Sequence, residues 1–500
     1  MRKALPIAIA ATIAGAWILS ADWASSSGNP QRDGWQRSED KLSRASAAAG
    51  GIKLLYSYKV DSKAQRMGTP VLLGNIIGWK GFKALLFVGG SSDIYSIDFW
   101  TGKPYFKTHF DYVAGDKPQQ TASTSTCPGG ITAAAVISGG SGGGRGRGVG
   151  ANVWAVSADG KLQTLREQDG DNKATPAVPF LPANARSSDL NLGNNVLYAA
   201  TQYGCGGNPN ALYAIDLATP DKTVVSFPTN GSGFAGSAGV AISTDGTTVY
   251  GLIPDGQGSV AGKYGNTVVA LDPHNLEVKD YFTPPGAAPD LKQGAEVPGA
   301  TPAVFTWNGK DLIVAGGTDG RIYLLDSTSL GGSDHHTPLA HSDLFAAGDG
   351  INGIWNAFAT WDDAPPPSGT RWIYASISGA PKLTFPTTND SAPNGSIVAF
   401  KVEDHGGKPA LTPVWSSRDM TSPAAPAVTN GLVFALSTGQ GKSTKNAVLY
   451  ALDSSTGKEI WSSGTTTTSY ATGGLAIDAS IVLFATHDSQ IHAYGIPILF

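Results

Sequence analysis

Two tryptophans, an asparagine and two carboxylates are crowded into the run Gly353-Ile354-Trp355-Asn356-Ala357-Phe358-Ala359-Thr360-Trp361-Asp362-Asp363. Indole offers the largest flat apolar face among side chains, and Asn and Asp can meet a metal or the polar edge of a ligand. Trp355 or Trp361 is therefore the candidate stacking wall for a ring-shaped cofactor. Asn356, Asp362 and Asp363 are its candidate polar contacts, at the mouth of a channel. The rival reading is core packing, the usual fate of aromatic residues on a strand. No residue of the chain is singled out as catalytic.

Other groups with chemical potential read as structure. His335, His336 and His341 lie near Asp334, a set that could hold a divalent ion. No regular element fixes their spacing, so they read as a solvated loop, and no metal site is assigned. Asp169-Gly170-Asp171-Asn172 looks calcium-like but lacks the later Gly and Glu of an EF-hand, and reads as a turn. Gly146-x-Gly148-x-x-Ala151 loosely matches a dinucleotide loop, but a strand follows it where a helix is needed. Gly439-Gln440-Gly441-Lys442-Ser443 fails as a phosphate loop because Leu436 stands where that motif needs Gly. The two cysteines, Cys127 and Cys205, are 78 residues apart in loops and read as one structural disulfide of an exported chain, not a Cys-x-x-Cys redox pair.

These residues must be carried by short strands. Val448 to Leu452 alternates as a half-buried strand, Asp453 opens a turn, Gly457 supplies its permissive position, and Ile460-Trp461 begins the next strand. Weaker copies of this hairpin recur at Asp98, Asp216, Asp272, Asp326 and Lys401, with further units at 153–165 and 481–494, making eight. Such repeats read as propeller blades. Asp453, Thr456, Gly457 and Trp461 resemble the tryptophan-docking motif of quinoprotein-type β-propellers, Ala-x-Asp-x-x-Thr-Gly-Lys-x-x-Trp, at every fixed position.

Composition agrees. The chain has 500 residues, 64 of them Gly and 31 Pro, as an all-β protein with many tight turns requires. Only 15% of residues are charged and the net charge is −4, which leaves no electrostatic case for nucleic acid. Residues 1–21 read as a signal peptide: Arg2 and Lys3, an apolar run from Ala4 to Leu19, then Ser20-Ala21. That run is short for a membrane anchor, so no integral membrane segment is expected after cleavage. No Cys follows it to carry lipid. Residues 22–50 are an irregular leader whose Trp23 and Trp35 dock on the propeller, and 51–500 are the propeller itself. The strand 52–60 has no partner before it, and the last unit lacks its outer strand. The expectation is that the N-terminal strand completes that unit and closes the ring.

Residues 52–500 resemble the pyrroloquinoline-quinone (PQQ)-like propeller superfamily, and the leader 28–35, Cys127-Pro-Gly-Gly and Gly204-Cys-Gly-Gly-Asn-Pro resemble a secreted, uncharacterised subgroup of it. The resemblance implies an all-β, eight-bladed propeller of four-stranded antiparallel blades, like quinoprotein alcohol dehydrogenases. In those dehydrogenases adjacent cysteines cover the quinone, carboxylates and an amide hold calcium, and an Asp is catalytic. Here the cysteines are far apart, and no calcium triad can be placed. Two functions follow. The first is a non-catalytic scaffold or platform for a protein or small-molecule ligand, periplasmic or extracellular, analogous to the propeller lipoprotein of the outer-membrane barrel-assembly machine. The alternative is a PQQ- and calcium-dependent dehydrogenase with a divergent site, in which Trp355, Asn356, Trp361 and Asp362 would face the cofactor.

Overall fold

The second strands of the repeats have no solvated face. Val196–Gln202, Val249–Ile253, Leu432–Ser437 and Ile481–Ala485 contain only buried residues. Their sheets must therefore be covered on both sides by other sheets. The computed structural model describes residues 23–60, 66–78, 81–111, 127, 129–138, 151–229, 231, 233–255, 264–285, 299–348, 352–365, 369–441 and 444–497, with the backbone alone at 75–78 and 82. The signal-peptide segment and the glycine-rich loop 139–150 lie outside these residues. Among the described residues no helix is long and apolar enough to cross a membrane.

The described residues form an all-β propeller of antiparallel blades. There are eight sheets, six with four strands, one with five and one with six. The last sheet joins distant parts of the chain: Lys53–Lys59 pairs antiparallel with Gln490–Gly495, which continues into Ile481–Ala485 and Ala476–Asp478. The N-terminal strand, which has no partner before it, is the outer strand of the last sheet. The sixth sheet departs from four strands because Gly299–Thr301 and Thr387–Thr388 add to it in parallel.

Neighbouring sheets are fastened at their turns. The Asp453 carboxylate accepts from the backbone N–H of Ser455 and Thr456, folding the chain back at Gly457, which has φ +70°. Trp415 of the preceding sheet lies against this turn and donates its Nε1 to the Ser454 carbonyl at 2.9 Å. A Cβ at position 457 would stand 2.3 Å from that indole, so glycine is needed for the ring as well as for the dihedral. The Asp98–Gly102 turn repeats the arrangement with Tyr56 in the tryptophan's place. The Tyr56 hydroxyl donates to the Phe99 carbonyl at 2.8 Å, and a Cβ at 102 would meet its ring at 2.5 Å. Trp461 packs edge-on against Tyr494 of the last sheet, at 5.7 Å between centroids.

The leader is more than a docked lead-in. It bonds to the first strand of every sheet. Leu72 and Ile137 donate their N–H to the carbonyls of Trp23 and Ala24, and Ile242, Val304 and Thr360 donate to Pro30, Gln31 and Asp33. Asn191 donates its side chain to Pro30, Gln36 donates its N–H to Val428, and the Gln36 side chain donates to Ile477. The first strands therefore face a common axis, and the leader fills it. Arg32 is its most buried cation, donating to the carbonyls of Ser26, Leu190 and Val240. Burial pulls its guanidinium down to about 10, against the attraction of Asp189. Within the leader, Arg44–Ala48 forms a short helix capped by Ser43. Cys127 and Cys205 are joined, with Cα atoms 5.6 Å apart.

Candidate functional site

A cavity of about 700 Å³ opens where the first strands begin. Its wall is assembled strand by strand: Thr69 stands just before Val71–Gly78, Trp355 and Asn356 lie near the start of Gly353–Asp362, Ala427 begins Ala427–Thr429, and Leu475 precedes Ala476–Asp478. The leader crosses the axis one or a few residues further along the same strands. Trp23, Ser26 and Ser27 therefore form part of the cavity lining. The leader thus forms part of the wall of this cavity, a bowl at the start of the first strands.

The bowl holds two of the five residues singled out from sequence. Trp355 and Asn356 line it; Trp361 and Asp362 do not. Thr360 donates to the leader's Asp33 carbonyl, so Trp361 and Asp362 lie beyond the leader. Four residues of strand separate Asn356 from Trp361, five steps that span on the order of 15 Å at the usual rise. Trp361 is instead core, packed with Trp372, Tyr374 and Trp415. Asp362 accepts from the buried Arg371 at 2.7 Å, and Asp363 accepts from Trp372 Nε1 at 3.1 Å. Core packing claims this half of the motif. Asn356 has φ +67°, within a register shift between Trp355 and Ala359, and donates its Nδ2 to the Pro423 carbonyl. That bulge turns the start of the strand toward the cavity.

Residues with no motif of their own complete the bowl. Arg66 donates Nε to the Thr472 carbonyl at 3.2 Å. The Arg186 guanidinium lies 4.6 Å from the Tyr203 ring centroid, and His487 stacks on Tyr470 at 4.6 Å. They come from segments far apart in the chain, so sequence spacing could not have grouped them. The disulfide is close by, since Cys205 follows Tyr203 by two residues. Among the described lining residues none is Asp or Glu. Calcium takes six to eight oxygens, typically including carboxylates. No group of three metal-binding side chains occurs among the described residues. His335 instead stacks on Tyr281 at 4.0 Å and approaches Asp280 at 3.1 Å, and His336 bonds the Thr283 carbonyl. Asp169 pairs with Arg166 at its turn. The bowl's described residues therefore do not fit a calcium-held quinone.

No family model matches the chain, and no curated protein matches it. Solved structures do. The quinohemoprotein alcohol dehydrogenase of Pseudomonas putida HK5 superposes with a TM-score of 0.58 at 14% identity, over 96% of this chain and 81% of that one. The fold is that of the quinoprotein alcohol dehydrogenases. The quinohemoprotein alcohol dehydrogenase of Comamonas testosteroni gives 0.55 at 13% identity over 96% of this chain and 81% of its own. A europium-containing methanol dehydrogenase gives 0.57 at 12% over 94% and 89%. Identity at this level speaks for fold alone; function rests on the site.

Proposed function

We propose that this protein is an exported, non-catalytic propeller that presents the bowl at its axis as a ligand-binding platform. Its eight sheets act as eight blades of a ring, with Lys53–Lys59 as the closing strand. The Tyr56–Phe99 bond between the last sheet and the first supports that closure. The disulfide supports an oxidising compartment, periplasmic or extracellular. The observation that carries the reading is the lack of any carboxylate among the bowl's described lining residues. A PQQ- and calcium-dependent dehydrogenase needs carboxylates both to hold the metal and to act as base, and quinone chemistry is the cofactor's only once it is so held. The purified chain, given PQQ and calcium, should reduce no dye with alcohols or sugars. Turnover abolished by Trp355→Ala would instead establish the dehydrogenase.

A further inference from the structure

Two amide side chains in the bowl have one end held and the other open. Gln202 donates its Nε2 to the carbonyls of Phe234 and Gly236 at 2.6 and 3.1 Å, and Asn356 donates its Nδ2 to the Pro423 carbonyl at 2.9 Å. A carbonyl can be met only by an N–H, so these bonds decide which way each amide is turned. Oε1 of Gln202 and Oδ1 of Asn356 are left as acceptors, and neither receives a bond among the described residues. Gln202 is 4% exposed and its amide is pinned, so its oxygen must find a donor in the cavity. The two amides are neighbours. Gly236, with φ +78°, lies between them: its carbonyl takes the Gln202 bond, and a Cβ on it would stand 2.3 Å from the Asn356 carbonyl. Ser237 follows it, and Ser378 pairs with Gly353 at the start of the Asn356 strand. The hydroxyls of Ser237 and Ser378 also lack partners among the described residues. Elsewhere in the lining Ser422, Thr438 and Thr472 donate their hydroxyls to the carbonyls of Gln440, Ser422 and Met67. Open capacity thus gathers around Gly236, beside Trp355. The Trp355 nitrogen is buried, so the indole can offer only carbon surface.

We infer that this patch binds an uncharged saccharide, whose ring hydroxyls donate to Gln202 Oε1 and Asn356 Oδ1 and accept from Ser237 and Ser378, with a C–H face of the ring against Trp355. The inference rests on the platform reading and names its ligand class. Every sugar hydroxyl both donates and accepts, which matches amide oxygens set beside serine hydroxyls, and an aromatic surface suits the apolar face of a saturated ring. An anion would be set against two carbonyl oxygens. A cation would find no carboxylate among the described lining residues. A wholly apolar ligand would leave the amide oxygens unmet. The cavity of about 700 Å³ has room for about two rings with water.

Calorimetric titration of the full chain with cellobiose and maltose tests this. Digalacturonate, the glucosamine dimer and the neutral peptide N-acetylglycylglycinamide serve as the anionic, cationic and peptide comparators. At least one neutral disaccharide should bind about tenfold more tightly than every comparator, and added salt should leave its affinity unchanged. Ser237→Ala and Ser378→Ala remove hydroxyls that bond nothing among the described residues, and each should weaken the sugar several-fold at an unchanged melting temperature. Asn356→Gly, which suits the φ of +67°, removes one acceptor and should weaken it further. No binding of either neutral disaccharide at millimolar concentration, equal or tighter binding of a comparator, or a sugar affinity untouched by all three substitutions overturns the inference. The dye-reduction test stays separate: oxidation of the bound sugar would end the platform reading and keep the ligand class, whereas no sugar binding and no dye reduction would do the reverse.

Discussion

The strand Gly353–Asp362 has two ends of nearly the same composition and opposite fates. Each end offers an indole and a polar neighbour. At Trp361 and Asp362 the side chains pack within the protein: the indole in the core, the carboxylate on Arg371, and Arg371 against Phe305 at 4.8 Å and Trp35 at 5.8 Å, with its Nε lacking an acceptor. At Trp355 and Asn356 a bulge and a left-handed backbone turn the side chains toward open space, and one donor goes unmet. Residue types alone do not separate a site from a core. The difference is what stands opposite, and here that is the leader, which lies between the two ends.

The contrast breaks most visibly at the locked end. Arg371→Met leaves the Asp362 carboxylate buried without its cation, and should remove about 3–5 kcal/mol from the unfolding free energy in a denaturant titration. A loss under about 1 kcal/mol would mean that the two ends are equally loose. Next comes the pair of indoles. Trp361→Ala should be unfavourable by about 3–5 kcal/mol through the cavity it leaves, and Trp355→Ala by clearly less because its ring already borders open space. Equal losses would place Trp355 in the core.

The smallest effect is a pH dependence that sharpens the picture of the locked end. Burial pushes the Asp362 carboxyl above the ordinary carboxylate range, against the pull of Arg371 and Arg37. A raised value in the folded state means that the native protein holds its proton when the unfolded chain has lost it. This group's stabilising contribution is then fully present below the ordinary value and is lost as pH rises through the folded one. Relative to Asp362→Asn, the melting temperature of the parent should fall as pH is raised from about 4 toward neutrality. A difference that grows with pH would show that the Arg371 pairing outweighs burial.

The repeats were readable because each turn obeys local chemistry. Asp453 to Gly457 and Asp98 to Gly102 carry their dihedral needs in adjacent residues, and alternation marks the strands beside them. The partner of strand 52–60 could be read as well, because a missing strand and a spare one are both visible in the pattern. The bowl could be read only in part. Trp355 stood out by size, but Arg66, Arg186 and Tyr470 are brought to it from segments far apart in the chain. Trp355 and Trp361 could not be told apart from sequence, because nothing local announces that Asp33 will bond Thr360 from more than three hundred positions away.

That same leader sets an order of events. Residues 23–42 are made before every strand they bond, yet those bonds run to the first strand of every sheet, including Gln36 to Ile477 at a separation of 441 positions. They cannot be satisfied while any of those strands is still unmade. Contacts of such range form late, after the loop-closure entropy of the whole chain has been overcome. A segment made before all the strands it bonds is thus the last to settle, and it settles only once all eight sheets are in place. A chain truncated or misfolded in one repeat would leave the leader dangling, its buried arginine in water, where a protease can tell the unfinished molecule from the finished one.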